Sequence, residues 1–263
     1  MSLTRHMRNT DATDWRGRIG LLTPHLDLVP ELEFCAMAPE GVSIHAGRVL
    51  FGVSAGATVV GADAARAIAE PPYVDDAAEQ LAAAPIDVVV FGFTSSSYLS
   101  GADADAALKN RLEERTKGIP VVVPCVAAVL ALRQLGIDKM ALVNPPWFPA
   151  MTDELGANYF QVQGIEVVYH APAEIEFGEL PSGQINITRS AVYEWVRAHV
   201  PEKAEAVFIG GNGFRAVEAI EDLEKELGRP VLTANQVALW QALKLSDIQV
   251  SVSGYGQLLD EGH

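Results

Sequence analysis

The chain repeats one pattern of segments at a separation of about 110 residues. Residues 118–125 read GIPVVVPC and residues 228–235 read GRPVLTAN, and each segment leads into a run rich in alanine, valine and leucine. Residues 18–24, RIGLLTP, have a similar echo in residues 138–145, DKMALVNP. Two strand-to-helix units in the same order predict a duplicated α/β half. Because such halves usually face each other, we expect a ligand cleft between their strand ends.

Short β-branched runs alternate with stretches of helical length along the whole chain. This alternation is typical of βαβ units and a parallel sheet. It predicts strands at residues 19–23, 42–49, 88–93, 121–123, 140–143, 166–169, 206–209 and 231–233. It predicts helices at residues 31–37, 73–84, 102–116, 126–135, 149–161, 189–199, 214–227 and 237–243.

The predicted strands divide equally between the two halves. We therefore predict an α/β fold of two pseudo-symmetric lobes, each a roughly four-stranded parallel sheet flanked by helices, with the active-site cleft between them. The N-terminal α/β lobe is predicted to span residues 15–136 and the C-terminal α/β lobe residues 137–260. The last helix could pack on the first lobe, because nothing near the boundary resembles a flexible linker.

Composition limits the partners of the chain. The net charge of -15, from 19 basic and 34 acidic residues, repels phosphate backbones and anionic lipids, so we expect no nucleic acid and no membrane partner. No apolar stretch approaches the roughly 20 residues of a membrane span, and no secretory leader is recognisable, which predicts a cytoplasmic location. Two distant cysteines and six scattered histidines provide no metal motif. We expect no metal and no cofactor.

A run of hydroxyl residues, TSSS at positions 94–97, follows the third predicted strand. Hydroxyl residues at such a turn are common helix N-caps, but four in succession exceed what one cap requires. Hydroxyl groups and backbone amides at a helix start form a nest that suits a carboxylate. We therefore predict that Thr94 and Ser95 bind the substrate.

The corresponding turn of the second half reads GGNG at positions 210–213. The glycines could serve only a tight turn, but glycine also permits close approach of the backbone to a ligand. The run lacks the GxGxxG spacing of a dinucleotide site. Because glycine permits this close approach, Gly211, Asn212 and Gly213 are predicted to contact the ligand in the cleft.

The exits of the first and fifth predicted strands add further candidates. Pro24, His25 and Asp27 follow the first strand, and Asn144 follows its echo in the second half. The proline ends the strand, and a surface histidine and a capping aspartate would explain the other two residues. Because these strand exits point at the predicted cleft, Pro24, Asp27 and Asn144 are candidate ligand contacts and His25 is a candidate proton donor.

The two cysteines lie in different environments. Cys125 follows the fourth predicted strand near a helix N-terminus, where a thiol pKa is lowered, although a small buried apolar residue is the alternative interpretation. Cys35 lies beside Phe34 and Met37 on an apolar helix face, which predicts a core position.

From residue 18 to residue 243 the chain resembles the aspartate/glutamate racemase superfamily, within it the branch of arylmalonate decarboxylases and maleate cis-trans isomerases. Residues 19–30 are similar to the opening strand and loop of that branch, and residues 93–98, FTSSSY, to its Cys/Gly-Thr-Ser turn. Residues 211–215, GNGFR, resemble the segment that opens with the second catalytic cysteine. The most specific stretch is TANQVALW at residues 233–240.

The resemblance implies a cofactor-independent enzyme that acts on a small carboxylate or dicarboxylate. Members use two cysteines, one from each half, and the decarboxylases keep only the second, which reprotonates the carbanion. By this resemblance Phe93 and Gly211 occupy the two cysteine positions. A decarboxylase-like activity without either thiol is the favoured interpretation. Its catalytic residues are unknown, with Tyr98 and Cys125 joining His25 as candidate proton donors.

Three alternatives stay open. The chain could be a racemase or cis-trans isomerase with acid and base groups other than cysteine, or a non-catalytic protein that binds a dicarboxylate. Nucleophilic catalysis by Ser95 or Ser96 would need a base that the sequence does not place. The resemblance is also consistent with a homo-oligomer.

Overall fold

The computed structural model describes residues 16–52, 62–180 and 182–260. Residues 15 and 53–61 of the predicted N-terminal lobe and residue 181 of the predicted C-terminal lobe therefore lie outside the described residues. The strands are β1 (Gly17–Pro24), β2 (Val42–Val49), β3 (Val88–Phe91), β4 (Val121–Val122), β5 (Lys139–Asn144), β6 (Glu166–Pro172), β7 (Ala206–Ile209) and β8 (Val231–Thr233). The helices are α1 (Val29–Met37), α2 (Ala62–Ala67), α3 (Tyr73–Ala82), α4 (Ser95–Ser100), α5 (Ala102–Arg115), α6 (Pro124–Gln134), α7 (Ala150–Val162), α8 (Arg189–His199), α9 (Ile220–Leu227), α10 (Ala234–Leu245) and α11 (Gln257–Asp260). Two 3-10 turns cover Ser182–Asn186 and Val217–Ala219.

The strands form two parallel four-stranded sheets with matching orders. The first sheet runs β2-β1-β3-β4 and the second runs β6-β5-β7-β8. The repeated segments correspond, because residues 118–125 contain β4 and the start of α6, and residues 228–235 contain β8 and the start of α10. The predicted α/β fold with two pseudo-symmetric lobes is confirmed.

Strand burial explains why the sequence pattern is so clear. Every residue of β3 and of β7 is buried, as expected for central strands of a parallel sheet that helices cover on both faces. The edge strand β2 is buried only at its two ends, Val42 and Val49. Within the described ranges, no helix is both long and apolar enough to cross a bilayer.

The strand order also determines where a ligand can bind. In the first sheet β1 pairs with β2 on one side and with β3 on the other, and β5 holds the same position in the second sheet. Connections that leave neighbouring strands in opposite directions open a crevice at the carboxyl ends of those strands. The exits of β1, β3, β5 and β7 are therefore where a ligand site is expected.

Tyr98 packs the first half against the second. It belongs to α4, and its ring makes edge or tilted contacts with Phe148, Tyr159 and Phe160 of the second half. Gly156 of α7 lies directly against this ring, since a Cβ atom there would be 2.7 Å from Cε2 of Tyr98. The α10 helix of the second half likewise packs on α1, α6 and β3 of the first.

Three local predictions were wrong. The helix predicted at residues 214–227 begins only at Ile220, after the 3-10 turn Val217–Ala219. The hydroxyl run is not a simple turn, because its three serines form the first half of the short helix α4 and Thr94 is the N-cap. Cys35 is exposed, because α1 buries a stripe that includes Phe34 and Met37, and Cys35 lies off that stripe.

We predict that Gly156→Ala destabilises the protein although alanine favours helix formation. The new methyl group would overlap the Tyr98 ring, and such overpacking costs about 1–3 kcal/mol of the free energy of unfolding. In a Tyr98→Ala background, itself about 3–5 kcal/mol less stable, the same change should be neutral or stabilising by up to about 1 kcal/mol. Urea unfolding of the four proteins measures this coupling, and additive effects would contradict the packing described.

Candidate active site

A cleft lies where the carboxyl ends of the central strands of the two sheets meet. It encloses about 540 Å³, part of which is open to solvent. Both halves contribute to its walls, which are formed by Pro24, Leu26, Asp27, Phe51, Phe93, Thr94, Ser95, Pro145, Trp147, Phe148, Leu180, Gln184, Gly211, Asn212 and Gly213. The cleft is therefore at the position that the strand order predicts.

One part of the wall is aromatic. Phe93 of the first half packs on Phe51 with a ring-centroid distance of 5.3 Å. Trp147 and Phe148 of the second half also line the cleft. These rings exclude water, so they lower the effective dielectric constant around a bound ligand and strengthen its electrostatic interactions.

The hydroxyl run is divided between the cleft and the protein interior. Thr94 and Ser95 line the cleft. Ser96 donates a hydrogen bond to the carbonyl of Phe93, and Ser97 donates to the buried carboxylate of Asp105 at 2.9 Å. Only the first two hydroxyl residues are thus placed to meet a ligand.

A chain of hydrogen bonds connects Thr94 to Glu33 through two asparagines. Thr94 Oγ1 donates to Asn212 Oδ1 at 2.5 Å, and Asn212 Nδ2 donates to Asn235 Oδ1 at 2.8 Å. Asn235 Nδ2 donates to Glu33 Oε2 at 2.6 Å and to the backbone carbonyl of Asn212 at 2.9 Å. We call these four residues the Thr94–Glu33 chain. It begins and ends in the first half and passes through the second.

Glu33 is a buried carboxylate that the sequence analysis missed. Its other oxygen, Oε1, accepts the backbone N–H of Ala216 at 2.7 Å and of Val217 at 3.1 Å. Burial raises the pKa of Glu33 to about 7, although its hydrogen bonds to Asn235 and the two amides oppose that shift. The sequence signal was an acidic residue on the buried stripe of α1, next to Phe34.

Among the described residues that line the cleft, Asp27 is the only one with a titratable side chain. Its Oδ1 accepts the backbone N–H of Val29 at 3.0 Å. Its other oxygen lies beside Gly213, where a Cβ atom would collide with both Asp27 and Gln184. Burial raises the pKa of Asp27 to about 6, with the Val29 amide and Arg48 acting in the opposite direction. Asp27 can therefore hold or accept a proton close to neutral pH.

Seven of the eight predicted substrate contacts line the cleft: Pro24, Asp27, Thr94, Ser95, Gly211, Asn212 and Gly213. The eighth, Asn144, is fully buried and donates to Asp153 at 2.8 Å. Asn144 ends β5 as predicted, but its side chain turns towards α7 and the protein interior.

The three predicted proton donors lie outside the cleft wall. His25 is exposed, and its Nδ1 accepts the backbone N–H of Phe51 at 3.1 Å. Tyr98 and Cys125 are buried beneath the wall, and this burial raises the pKa of each well above its ordinary value. Asp27 is better placed than any of these three to exchange a proton with a ligand.

Gly211 and Phe93, the residues at the two predicted cysteine positions, both line the cleft. Gly211 has a φ of +82°, and a Cβ atom there would collide with Pro145. Any larger side chain, including cysteine, would therefore be strained at this position.

Cys125 is buried behind the cleft wall and does not line the cleft. Its sulfur lies 3.9 Å from the carbonyl oxygen of Thr94, which is a residue of that wall. Among the described residues, no three His, Cys, Asp or Glu side chains cluster as metal ligands.

Two matched parallel sheets that share one cleft, with a buried carboxyl group in its wall, define a duplicated α/β protein with an enzyme-like site. The sequence profile of the arylmalonate decarboxylase family matches residues 36–259, and the chain belongs to that family. The predicted resemblance to the decarboxylase and isomerase branch is thereby confirmed.

Individual relatives agree with this assignment. Arylmalonate decarboxylase of Bordetella bronchiseptica is 27% identical over 201 residues, which is 72% of this chain and 77% of the relative. A variant of the maleate isomerase Iso from Pseudomonas putida S16, solved with maleate, has a TM-score of 0.81 at 22% identity, covering 93% of this chain and 97% of that one. A maleate cis-trans isomerase variant from Nocardia farcinica, solved with a covalently bound succinylcysteine intermediate, has a TM-score of 0.78 at 22% identity and covers 93% and 98%. These relatives are enzymes, and the chain belongs to an enzyme family.

We predict that the stability of the protein falls as the pH rises from about 4.5 to 7. The unfolded chain releases the Glu33 proton near the ordinary value of 4.5, whereas the folded chain retains it up to about 7. The stabilisation is complete below the unfolded pKa and is lost as the pH passes the folded one. The full shift corresponds to roughly 3 kcal/mol. Urea unfolding across this range should show a flatter dependence for Glu33→Gln, and an unchanged slope would contradict the assignment.

Proposed function

We propose that the protein is a cofactor-independent decarboxylase of small malonate-type dicarboxylates. The observation that carries the proposal is Asp27, a buried carboxyl group with a pKa of about 6 in a cleft whose other lining residues are apolar or uncharged polar residues. Membership of the arylmalonate decarboxylase family supports the reaction type. The maleate found in a structural relative supports a small dicarboxylate ligand.

The two parts of the cleft suit the two carboxylates of such a substrate. The leaving carboxylate would face Phe93, Trp147 and Phe148, where loss of its hydration favours departure as neutral carbon dioxide. The retained carboxylate would be held by the Ser95 hydroxyl and the backbone amides of the turn at Gly211. As the carbon–carbon bond breaks, negative charge moves onto this carboxylate, and the same donors stabilise it.

Asp27 would supply the proton that completes the reaction. The bond between the central carbon and the leaving carboxylate breaks, its electron pair stays on the carbon, and carbon dioxide departs. The Asp27 carboxyl group then transfers its proton to that carbon and recovers one from solvent. A substrate dianion beside Asp27 raises the pKa of the carboxyl group further, so binding itself favours the acid form.

The cysteines support decarboxylation over isomerisation through a covalent thiol adduct. The Nocardia farcinica isomerase variant carries a succinylcysteine. In this chain Cys35 is exposed on α1 and Cys125 is buried below the cleft wall, and the cleft is lined by neither. Racemisation or isomerisation with Asp27 as the base, and binding without turnover, are the alternatives that the assays below distinguish.

Incubation with substituted malonates should release carbon dioxide, and Asp27→Asn should lower kcat at least about 100-fold because the amide cannot donate an acidic proton. Glu31→Gln is the matched control, since Glu31 pairs with Arg48 but does not line the cleft, and it should leave kcat unchanged. Release of carbon dioxide at the same rate by the Asp27→Asn variant would contradict the role of Asp27. Conversion of maleate or loss of optical activity would favour the alternatives, and thermal stabilisation without any turnover would favour a binding protein.

The rate should decrease as the pH rises, because the reaction requires an acid. Because Asp27 acts in its protonated form, kcat/KM should be highest below the pKa of about 6 and should fall about tenfold per pH unit well above it. A rate that rises through this range would identify Asp27 as a base and would contradict the proposed proton transfer.

A further inference from the structure

We propose that Glu33 is a positioning residue that sets the direction of every hydrogen bond in the Thr94–Glu33 chain. As a result Thr94 presents only a hydrogen-bond acceptor to the cleft, and it selects a ligand that carries a hydroxyl group next to its carboxylate. The direction of the chain follows from the structure alone. The ligand class rests on the proposed function.

The direction is determined at Asn235. When Glu33 is ionised, Asn235 Nδ2 faces two groups that can only accept: the Glu33 carboxylate at 2.6 Å and the backbone carbonyl of Asn212 at 2.9 Å. The opposite orientation of the amide would place its oxygen against two other oxygens. Asn235 Oδ1 therefore faces the side chain of Asn212. This conclusion does not depend on how the Asn212 amide is oriented.

The orientation passes along the chain to Thr94. Because Asn235 offers an oxygen, Asn212 must turn its Nδ2 towards it, at 2.8 Å, and its Oδ1 towards Thr94. The Thr94 hydroxyl then donates its single hydrogen to that oxygen at 2.5 Å. A hydroxyl group that has donated its hydrogen has only lone pairs left for a ligand. The Thr94 side chain therefore accepts a hydrogen bond from a ligand and does not donate one.

Glutamate is the side chain that this arrangement requires at position 33. Three donors converge on its two oxygens: the backbone N–H groups of Ala216 and Val217 on Oε1, and Asn235 Nδ2 on Oε2. A glutamine has one oxygen, so in either orientation its amide nitrogen would face a donor. We expect Asn235 to rotate in the Glu33→Gln variant, which reverses the chain and releases the Thr94 hydrogen towards the cleft.

This direction makes a specific demand on the ligand. A substituent that only accepts hydrogen bonds would place its lone pairs against those of Thr94. A hydroxyl substituent can donate to Thr94. Hydroxymalonate and methoxymalonate form a suitable pair of probes, since they carry the same charge and differ in whether the substituent can donate.

Calorimetric titration at pH 8, where the Glu33 carboxylate is ionised, tests the ligand preference. The wild type should bind hydroxymalonate at least about fivefold more tightly than methoxymalonate, the effect of one hydrogen bond in a buried site. In Glu33→Gln this ratio should fall towards one. Asp105→Asn is the matched control, because Asp105 is a buried carboxylate that also joins the halves, through Tyr159 at 2.7 Å, but lies outside the chain. It should keep the wild-type ratio.

A wild-type ratio near one, or an unchanged ratio in Glu33→Gln, would overturn the inference. If the wild type binds neither ligand, the proposed ligand class is wrong.

A ligand-free measurement tests the chain separately from the proposed function. No hydrogen bond joins Glu33 to Thr94 directly, so Glu33→Gln and Thr94→Val should have additive effects on the urea midpoint unless the two asparagines transmit orientation between them. We expect the midpoint shift caused by Thr94→Val to be clearly smaller in the Glu33→Gln background. Additive shifts would overturn the positioning role, whatever reaction the protein catalyses.

Discussion

The cleft depends on a carboxylate that is buried between the two halves. A buried carboxyl group is tolerated only when its hydrogen-bonding capacity is satisfied, and Glu33 of the first half meets this condition with three donors from the second. The interaction fixes the 3-10 turn Val217–Ala219 and the start of α10 relative to α1. Because Asn235 and Asn212 extend it to Thr94, the same carboxylate also determines the hydrogen-bonding surface of the cleft.

The duplicated architecture provides the framework for that interaction. Each sheet alone opens a crevice at its central strand ends, and contacts between the halves, among them those of Tyr98 and Glu33, bring the two crevices together. The two halves are not equivalent at the site. The first contributes the carboxyl group of Asp27 and the hydroxyl groups, and the second contributes the glycine turn at Gly211 and two aromatic rings. A site of this kind can bind one dicarboxylate asymmetrically.

The sequence predicts the sheets well because burial in a parallel sheet requires continuous apolar runs, as in β3 and β7. It also places most of the cleft, since strand exits in a known order must converge. It could not show that Asn144 turns inward to Asp153, because that choice depends on a contact between distant segments. It could not show the role of Glu33 for the same reason, because Glu33 bonds to Asn235, which is 202 residues away in the sequence. Cys35 was misplaced because neighbouring helix positions differ by 100° in direction.

The most direct test of the account is a crystal structure of the Asp27→Asn variant with a substituted malonate bound. We expect one carboxylate of the ligand at Ser95 and the Gly211 turn and the other against Phe93 and Trp147. The central carbon should lie within about 3.5 Å of the side chain at position 27. A ligand bound outside this cleft, or one with its central carbon well beyond reach of that side chain, would contradict it.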